Sequence, residues 1–542
     1  MSKDKYDRQT RLWGEGQVLI STASVLCFNS DSLASEVLKN LVLSGIGEVT
    51  IIDDAVVSQE DLENNFFLEK ESLNKPRGIE IIKNLLLLNQ DVKGEALTKS
   101  PLTYIKEIGS GNCPFNIIIS CNQPEEFNTI LYDFAKTHNK RLILITSCGL
   151  LNMIRLYENY HANMKLRLLE TPVNDNRLAL PWKELIDFSL GFDLDKMDEA
   201  GHSHVPYFAI LTQALQKYRK VKNDPNANPS TKDEKNEFKE IIKSMSKFQG
   251  EENFNEALSN YYLCNKDKTT LITPKIEYIF EILKKNPFDE LLKQSNDIMK
   301  IFFIYCLCLK EYYEENKTFP LVGNIPDMTA DTQSYIRLKK VYQAKAEEDR
   351  KKMNVKIQDK LSKLTFDNKD KIIQMINSPN TDKEVDVIDV LNKNWPQMSL
   401  FKYEIKESLA LNPDEFDEDY QKVNLKWFFI FKASEKFYNK YKRYPGTIQN
   451  FKEDVPLLKG FVDEILGKAK ADNNNALPID GIGEEYVFEF CRMGKGQVPP
   501  CISMIGSMAS QEAIKMITYQ FDTVNNTILY DGINVTLSSF KL

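Results

Sequence analysis

Short runs of β-forming residues alternate with segments of helical periodicity at the start of the chain. Residues 24–28 (SVLCF) and 49–52 (VTII) are apolar runs of strand length and are predicted to be buried strands. Between them, residues 33–43 carry apolar side chains at helical spacing, and Gly45 and Gly47 mark the following turn. Strand, helix and strand in this order predict a βαβ unit, which opens many nucleotide-binding sheets.

The same alternation continues to about residue 149. Residues 117–119 and 142–145 are two further apolar strands, and residues 79–88 have helical periodicity. Strands that alternate with helices in this way indicate a doubly wound parallel sheet.

Helices and loops dominate from about residue 168. Helical periodicity predicts four long helices, at residues 276–283, 297–312, 334–364 and 420–440. The polar segment 222–237 is predicted to be a surface loop. The α/β pattern returns with a helix at residues 501–518 and a β-hairpin at residues 527–540, which turns at Asp531-Gly532.

These patterns together predict an α/β fold. A Rossmann-like, doubly wound sheet is interrupted by a large, mainly helical insertion and completed by a C-terminal helix and hairpin. The expected division is residues 1–167 for the first part of the sheet domain, 168–484 for the insertion and 485–542 for the part that completes the sheet.

The loop after the first strand is unsuited to a phosphate. Residues 29–34 (NSDSLA) contain no glycine, and Asp31 adds a negative charge. A phosphate cradle needs glycines because they let backbone N–H groups approach the anion closely. Asp53 stands about twenty residues beyond this loop, where a ribose-binding acid is expected. The unit therefore has the order of a nucleotide binder without the means to hold a phosphate.

Composition narrows the range of functions. The 542 residues predict roughly three or four domains at ~150 residues each. With 42% hydrophobic and 27% charged residues, the chain has the composition of a globular protein. The net charge of −8 leaves no basic footprint, so nucleic acid and anionic membranes are not expected as partners.

Short features of the sequence also bear on its location. The apolar run 301–309 is too short to span a membrane, and the polar residues 1–10 do not resemble a signal peptide. Nine cysteines without a Cys-x-x-Cys pair are typical of a reducing compartment, the cytoplasm or the nucleus. Four histidines without other ligands nearby make a zinc site improbable, and no metal is expected.

The segment 6–14 (YDRQTRLWG) precedes the first strand and carries two arginines. Arg8 and Arg11 are three residues apart, so a helical turn would place them on one side. Composition alone favours a solvated turn with one or two salt bridges. The alternative is an arginine presented to a phosphate elsewhere, because a guanidinium can donate two hydrogen bonds to phosphate oxygens.

With these pieces in place, the chain resembles the adenylation halves of ubiquitin-like-protein activating enzymes. YDRQTRLWGEG, LKNLVLSGIGEVTIID and ASQEAIKMIT match that family, and the resemblance covers nearly the whole length. FPLVGNIPDMTADTQSYIRLKKVYQAKAEED, HSHVPY, YKRYPG and FEFCRMG are most similar to the regulatory, non-catalytic half of the heterodimer that activates the neddylation (Nedd/Rub) modifier.

The resemblance implies that the nucleotide site of this half is degenerate. Residues that handle ATP and Mg²⁺ in active members are lost here. The glycine positions fall on Asn29, Asp31, Ser32 and Ala34, the phosphate-side arginine on Asn64, the metal aspartate on Gln123 and a second ribose-side acid on Ala55. Lys75 and Asp53 match in type. We expect no cofactor to bind this chain alone, with ATP and Mg²⁺ held by the partner subunit.

The resemblance also implies a role for Arg8. In this family the arginine of the YDRQ-type motif reaches across the dimer into the partner's ATP site, as an arginine finger does. The partner, the catalytic subunit, would adenylate the modifier's C-terminus and form the thioester. The expected partners are this subunit and the Nedd/Rub modifier, with its conjugating enzyme as a further candidate.

Two further sets of residues are candidates for contact or chemistry. A partner interface is predicted at Ile325, Pro326, Asp327, Met328, Asp331, Tyr335 and Leu338, and a docking element at Phe66, Phe67 and Leu68. The insertion occupies the place of a catalytic-cysteine domain, but its cysteines lack a context that would activate a thiol. Cys264, Cys306, Cys308, Cys491 and Cys501 are therefore expected to be inert.

Three other functions compete with a regulatory subunit. A self-sufficient adenylating enzyme needs the phosphate loop and the metal acid that are missing here, and a dinucleotide oxidoreductase fails on the same loop. The third is a scaffold without any catalytic contribution, and the regulatory half of the activating enzyme of another ubiquitin-like modifier is a further alternative. Substitution of Arg8 separates the scaffold from the leading hypothesis.

Overall fold

The structure, a computed structural model, describes most of the chain. The described residues are 5–14, 16–109, 113–164, 177–268, 272–377, 387–403, 418–447, 449–473 and 477–542. The predicted domain boundary at residue 167 lies outside them.

Ten strands form an eight-stranded sheet and a separate pair among the described residues. They are β1 (Ser24–Phe28), β2 (Glu48–Ile52), β3 (Lys93–Leu97), β4 (Ile117–Cys121), β5 (Arg141–Cys148), β6 (Leu151–Tyr157), β7 (His161–Asn163), β8 (Ser399–Phe401), β9 (Thr527–Asp531) and β10 (Thr536–Phe540). The sheet order is β10-β9-β6-β5-β4-β1-β2-β3, and β7 pairs with β8. Strands β3, β2, β1, β4 and β5 are parallel, whereas β6, β9 and β10 are antiparallel.

The helices of the first part cover both faces of the sheet. They are α1 (Asp7–Trp13), α2 (Gly16–Thr22), α3 (Ser32–Leu43), α4 (Gln59–Asn64), α5 (Arg77–Leu88), α6 (Pro101–Ile108) and α7 (Glu125–Thr137). Because of this cover, all five residues of the central strand β4 are buried. The predicted α/β class is confirmed, with antiparallel strands added at one side of the parallel sheet.

A long series of helices follows β7. It comprises α8 (Lys183–Leu190), α9 (Glu199–His202), α10 (Tyr207–Val221), α11 (Lys232–Met245), α12 (Glu252–Ser259), α13 (Pro274–Lys285), α14 (Phe288–Lys293), α15 (Asp297–Asn316), α16 (Thr332–Lys363), α17 (Lys369–Asn377), α18 (Val387–Asn394), α19 (Asp419–Tyr441), α20 (Phe451–Asp472) and α21 (Glu484–Met493). Residues of α10 and α16 share one core, and those of α15 and α18 share another.

The C-terminal helix and hairpin complete the sheet, as predicted. Helix α22 (Pro499–Thr518) packs on α3, where Ser510 Oγ donates to the Val37 carbonyl over 2.9 Å. Strand β9 then pairs with β6. Helices α19 to α21 share a core with β6, β9 and β10, so packing against the sheet begins before residue 484.

The predicted loop at 222–237 is wrong from residue 232 onwards. Helix α11 begins there, because the Thr231 side chain accepts from the Glu234 N–H and the Glu234 side chain accepts from the Thr231 N–H. This reciprocal capping box stabilises the start of the helix. Phe238 and Ile242, one turn apart, then anchor α11 in the core.

Candidate functional site

The candidate cleft lies at the carboxyl ends of β1, β2 and β4, where ligands bind in open α/β sheets. Asn29 follows β1 and Asn122 follows β4, and both have positive φ, 88° and 50°. Asparagine is among the few residues besides glycine that adopt this conformation readily. The Asn29 side chain donates to the Cys121 carbonyl over 2.9 Å, which ties the two loops together.

The Asp31 carboxylate occupies the N-terminus of α3, where a phosphate would bind in a working site. Its Oδ1 accepts from the Ala34 N–H over 2.9 Å, so Asp31 caps the helix. Its Oδ2 accepts from Asn122 Nδ2 and from Gln497 Nε2, each at 2.7 Å. The residues 29–34 are all buried. The anion position is therefore filled by a side chain of the protein itself.

The Arg77 guanidinium fills the neighbouring part of the cleft, beside Asp53. Arg77 Nη2 lies 2.9 Å from Asp53 Oδ2 and 2.7 Å from Asn29 Oδ1. Arg77 Nη1 lies 2.8 Å from Asp61 Oδ1. The Ser30 hydroxyl donates to Asp53 and accepts from Arg77 Nε, so these groups form one closed network.

Charges in this network stabilise one another. Burial alone lowers the pKa of Arg77, but the carboxylates of Asp53 and Asp61 outweigh it and raise the pKa above the usual value. Burial raises the pKa of Asp61, yet hydrogen bonds from Ser58 and the charge of Arg77 leave it below the usual value. The guanidinium and the Asp61 carboxylate are thus ionised together.

The other predicted nucleotide-site residues surround this network without forming a phosphate site. Ser32 Oγ donates to the Asn64 carbonyl over 3.0 Å, and Ala34 is buried in the core. Gln123 is half-buried, and its backbone carbonyl accepts from Asn128 Nδ2 over 2.9 Å. Ala55 offers no carboxylate, and its N–H donates to Asp53.

Lys75 does not enter the cleft, contrary to the expectation that it matches the ATP-handling lysine. Its side chain is 51% exposed and lies 3.9 Å from Glu80. Arg77, two residues further on, enters instead, and the sequence reasoning missed it. The signal for Arg77 in the sequence was its position as a basic residue at the start of a helix, directly after Pro76.

These residues do not fit a nucleotide with Mg²⁺. Three carboxylates, those of Asp31, Asp53 and Asp61, surround the cleft, and the Arg77 guanidinium, with the Lys495 ammonium near Asp31, partly neutralises them. A triphosphate would meet net negative charge and a helix N-terminus that is already capped. In the described part of the chain, no group of three or more His, Cys, Asp or Glu side chains is placed to hold a metal ion.

Arg8 lies on the exposed side of α1, away from this cleft. Its neighbour Arg11 pairs with Asp7 at 3.0 Å, whereas Arg8 has no ion pair among the described residues. Contacts on both sides fix the helix: Gln9 Nε2 donates to the Leu43 carbonyl over 3.2 Å, and the Tyr6 hydroxyl contacts Asn89 Oδ1 at 3.2 Å. Arg8 is therefore a free cation on an anchored helix.

Several exposed apolar side chains lie on α1 or on elements near it. We call them the apolar rim: Leu12, Leu43, Phe66, Leu87 and Leu88, which are 45%, 47%, 90%, 74% and 41% exposed. The contacts of Gln9 and Tyr6 place α1 beside Leu43 and Leu88. Asn84, one turn before Leu87, donates to the Phe67 carbonyl over 2.7 Å and so brings Phe66 near α5. Exposed apolar patches of this kind mark interaction sites.

The two predicted contact elements need correction. Ile325 and Leu338 are buried in the core that α10 and α16 share, so they are not available to a partner. Asp331 caps α16 by accepting from the Ser334 N–H, and Pro326, Asp327, Met328 and Tyr335 keep some exposure. In the docking element, Phe67 and Leu68 are buried, and only Phe66 is exposed.

All nine cysteines are buried and free. Burial raises the pKa of Cys148, Cys264, Cys308 and Cys491 to about 12, and that of Cys306 well above its usual range. Burial also raises the pKa of Cys501 at the start of α22. These thiols are protonated at neutral pH and are therefore poor nucleophiles.

Comparison with known proteins places the chain in context. The sequence profile of the ThiF family matches residues 6–542. Curated proteins named as NEDD8-activating enzyme E1 regulatory subunits are similar over the full length. The AXL protein of Arabidopsis thaliana is 30% identical and aligns with 100% of this chain and 99% of its own. The Gallus gallus protein is 31% identical, with 100% and 98% aligned. The Caenorhabditis elegans protein is also 31% identical, with 99% and 98% aligned.

Proposed function

Because this chain belongs to the ThiF family and, within it, to the NEDD8-activating enzyme E1 regulatory subunits, we propose that it pairs with a catalytic subunit and completes that subunit's ATP site with Arg8. The catalytic subunit adenylates the C-terminus of the Nedd/Rub modifier with ATP and then forms the thioester. ATP and Mg²⁺ are bound by that subunit. The modifier and its conjugating enzyme are the further partners of the pair.

The observation that carries the proposal is the contrast between the two arginines of α1. Arg11 forms an exposed ion pair with Asp7, whereas Arg8 is exposed without an ion pair among the described residues. An arginine supplied in trans to charge developing on a phosphate accelerates the reaction by roughly a thousandfold or more. The cleft of this chain does not suit a nucleotide. In the proposed heterodimer, Arg8 therefore acts on the nucleotide that the partner chain binds.

The apolar rim supports contact with a folded partner at this place. Burying one large apolar side chain contributes about 2 kcal/mol. A stable interface buries roughly 800 Å² on each side, more than Arg8 alone provides. Leu12 on α1, with Leu43 and Leu88 close to that helix, supplies exposed apolar area next to the helix that carries Arg8.

The cellular location proposed is the cytoplasm or the nucleus, where the nine free thiols stay reduced. No helix in the described ranges is long and apolar enough to cross a membrane.

Reconstitution from purified subunits tests the proposed function. Modifier-dependent ATP–pyrophosphate exchange is measured for this chain alone, for the catalytic subunit alone and for the two together. We expect exchange by the pair, none by this chain alone and a stable one-to-one complex in size-exclusion chromatography. Exchange by this chain alone, or failure of the two chains to associate, would contradict the proposal.

A further inference from the structure

We propose that the cleft at the carboxyl ends of β1 and β2 is an internal guanidinium site, in which the Arg77 side chain is the resident ligand and holds the segment between β2 and α5 against the sheet. The site belongs to this chain alone. It selects a planar cation and excludes a nucleotide.

The contacts of Arg77 join three parts of the chain that are separate in sequence. Asn29 follows β1, Asp53 follows β2 and Asp61 lies on α4, and each accepts from the guanidinium at 2.7 to 2.9 Å. Removal of this one side chain therefore leaves three acceptors in different elements without their donor. The segment 54–76 then loses the connection that Asp61 makes through Arg77 to Asp53 and Asn29.

The shape of the site suits a guanidinium better than an ammonium. A guanidinium presents five donors in one plane, and Arg77 uses Nε, Nη1 and Nη2 toward different acceptors. A lysine offers one compact charge that cannot reach Asn29 and Asp61 together. The Arg77 side chain is 14% exposed, so water replaces few of these hydrogen bonds.

Charge makes the resident cation necessary. The side chains of Asp53 and Asp61 are 6% and 15% exposed, and both face Arg77. Without the guanidinium, two nearly buried carboxylates would stand side by side without a counter-charge, which is strongly destabilising. The same negative charge, with that of Asp31 nearby, disfavours a triphosphate.

The site also explains how the segment around Phe66 is held without a nucleotide. The backbone N–H of Arg77 donates to the Ala55 carbonyl over 3.0 Å, and the backbone N–H of Val57 donates to the Lys75 carbonyl over 2.9 Å. These bonds fold the two ends of the segment together, and the guanidinium fixes them to the sheet. The segment that exposes Phe66 is therefore ordered by this chain's own side chain.

Chemical rescue tests the proposal with the full chain. We expect Arg77→Ala to melt about 5 °C below the wild type. Low-millimolar guanidinium chloride, far below denaturing concentrations, should recover most of that shift, whereas NaCl and urea should not. Lys75→Ala is the matched control, because Lys75 is exposed and only loosely paired with Glu80. It should neither lose stability nor respond to guanidinium.

Every outcome decides the proposal. An unchanged melting temperature, or a loss that guanidinium does not reverse, would overturn it. Stabilisation of Arg77→Ala by ATP with Mg²⁺ beyond that by guanidinium would also overturn it, because the cleft would then be a nucleotide site. If Arg77→Ala does not fold, Asp53→Asn/Asp61→Asn provides the test, since Arg77→Ala in that background should fold and cost less. Failure of Arg77→Ala to fold in that background as well would count against the site. Pairing of the wild type with its partner is measured separately, so failure of the proposed function stays distinguishable.

Discussion

Gln497 Nε2 lies 2.7 Å from Asp31 Oδ2, although 466 residues separate them in the chain. The loop before α22 thus contacts the loop that follows β1. Asp31 caps α3 with its other oxygen. One carboxylate thus joins the beginning and the end of the α/β part at the N-terminus of α3, a position that suits an anion.

Substitution of Asp31 measures this connection. We expect Asp31→Ala to lower the free energy of unfolding by about 2 kcal/mol, because it removes a helix cap and leaves the amides of Asn122 and Gln497 without an acceptor. Urea unfolding of the two proteins gives the difference. Asp195→Ala is the control, since Asp195 is 94% exposed. Equal losses in the two variants would contradict a special role of Asp31.

The pH dependence of stability tests the charge of Asp61. Its pKa is lowered in the folded chain, because hydrogen bonds from Ser58 and the Arg77 charge outweigh burial. Its stabilising contribution is therefore complete above the unfolded pKa of about 3.9 and is lost as the pH falls through the folded value. We expect Asp61→Asn to be less stable than the wild type at neutral pH, with the difference shrinking as the pH falls below the unfolded pKa of about 3.9. Urea unfolding across this range checks it, and a constant difference would contradict it.

Much of the fold could be predicted from the sequence because the signals were local. The strands β1, β2, β4 and β5 are largely apolar runs. The C-terminal hairpin was indicated by Asp531-Gly532, but the predicted turn position is wrong, because Asp531 pairs with Thr536 and the turn covers residues 532–535. Strand β3 (KGEAL) was not predicted, because it lies at the sheet edge, where polar side chains are tolerated and the apolar pattern is weak. Helix α11 escaped because its polar composition concealed the capping box at Thr231.

The cleft was predictable only in part. The missing glycines and the Gln123 and Asn64 substitutions are visible in the sequence, and they indicate a lost phosphate site. What fills the cleft is not visible, because Arg77 meets Asp53 and Asn29 across 24 and 48 residues. The same limit applies to Leu338, whose apolar pattern does not say whether a partner or the chain's own core covers it.

The apolar rim is tested by charge substitution. We expect Leu87→Glu to weaken association with the catalytic subunit by at least about tenfold, because a carboxylate would have to be desolvated in the interface. Val355→Glu is the control, since Val355 is 69% exposed on α16 outside the rim. The affinity of each variant for the catalytic subunit is measured at equilibrium. Equal affinities of the two variants would contradict a place for the apolar rim in the interface.

The cysteines are predicted to be inert. Burial raises the pKa of Cys148, Cys264, Cys308 and Cys491 to about 12, so a thiol reagent should label the native chain slowly and the urea-unfolded chain fully. The reconstituted pair should form its thioester unchanged when Cys501 is replaced by Ala. A modifier thioester on this chain, detected on a non-reducing gel, would contradict the prediction.

The most direct measurement is modifier-dependent ATP–pyrophosphate exchange by the reconstituted pair carrying Arg8→Ala. Arg11→Ala is the matched control on the same helix, because Arg11 is already paired with Asp7. We expect Arg8→Ala to leave the heterodimer intact in size-exclusion chromatography while exchange slows by roughly a thousandfold, and Arg11→Ala to change little. Exchange at the wild-type rate by an intact Arg8→Ala heterodimer would contradict the account and leave this chain a scaffold.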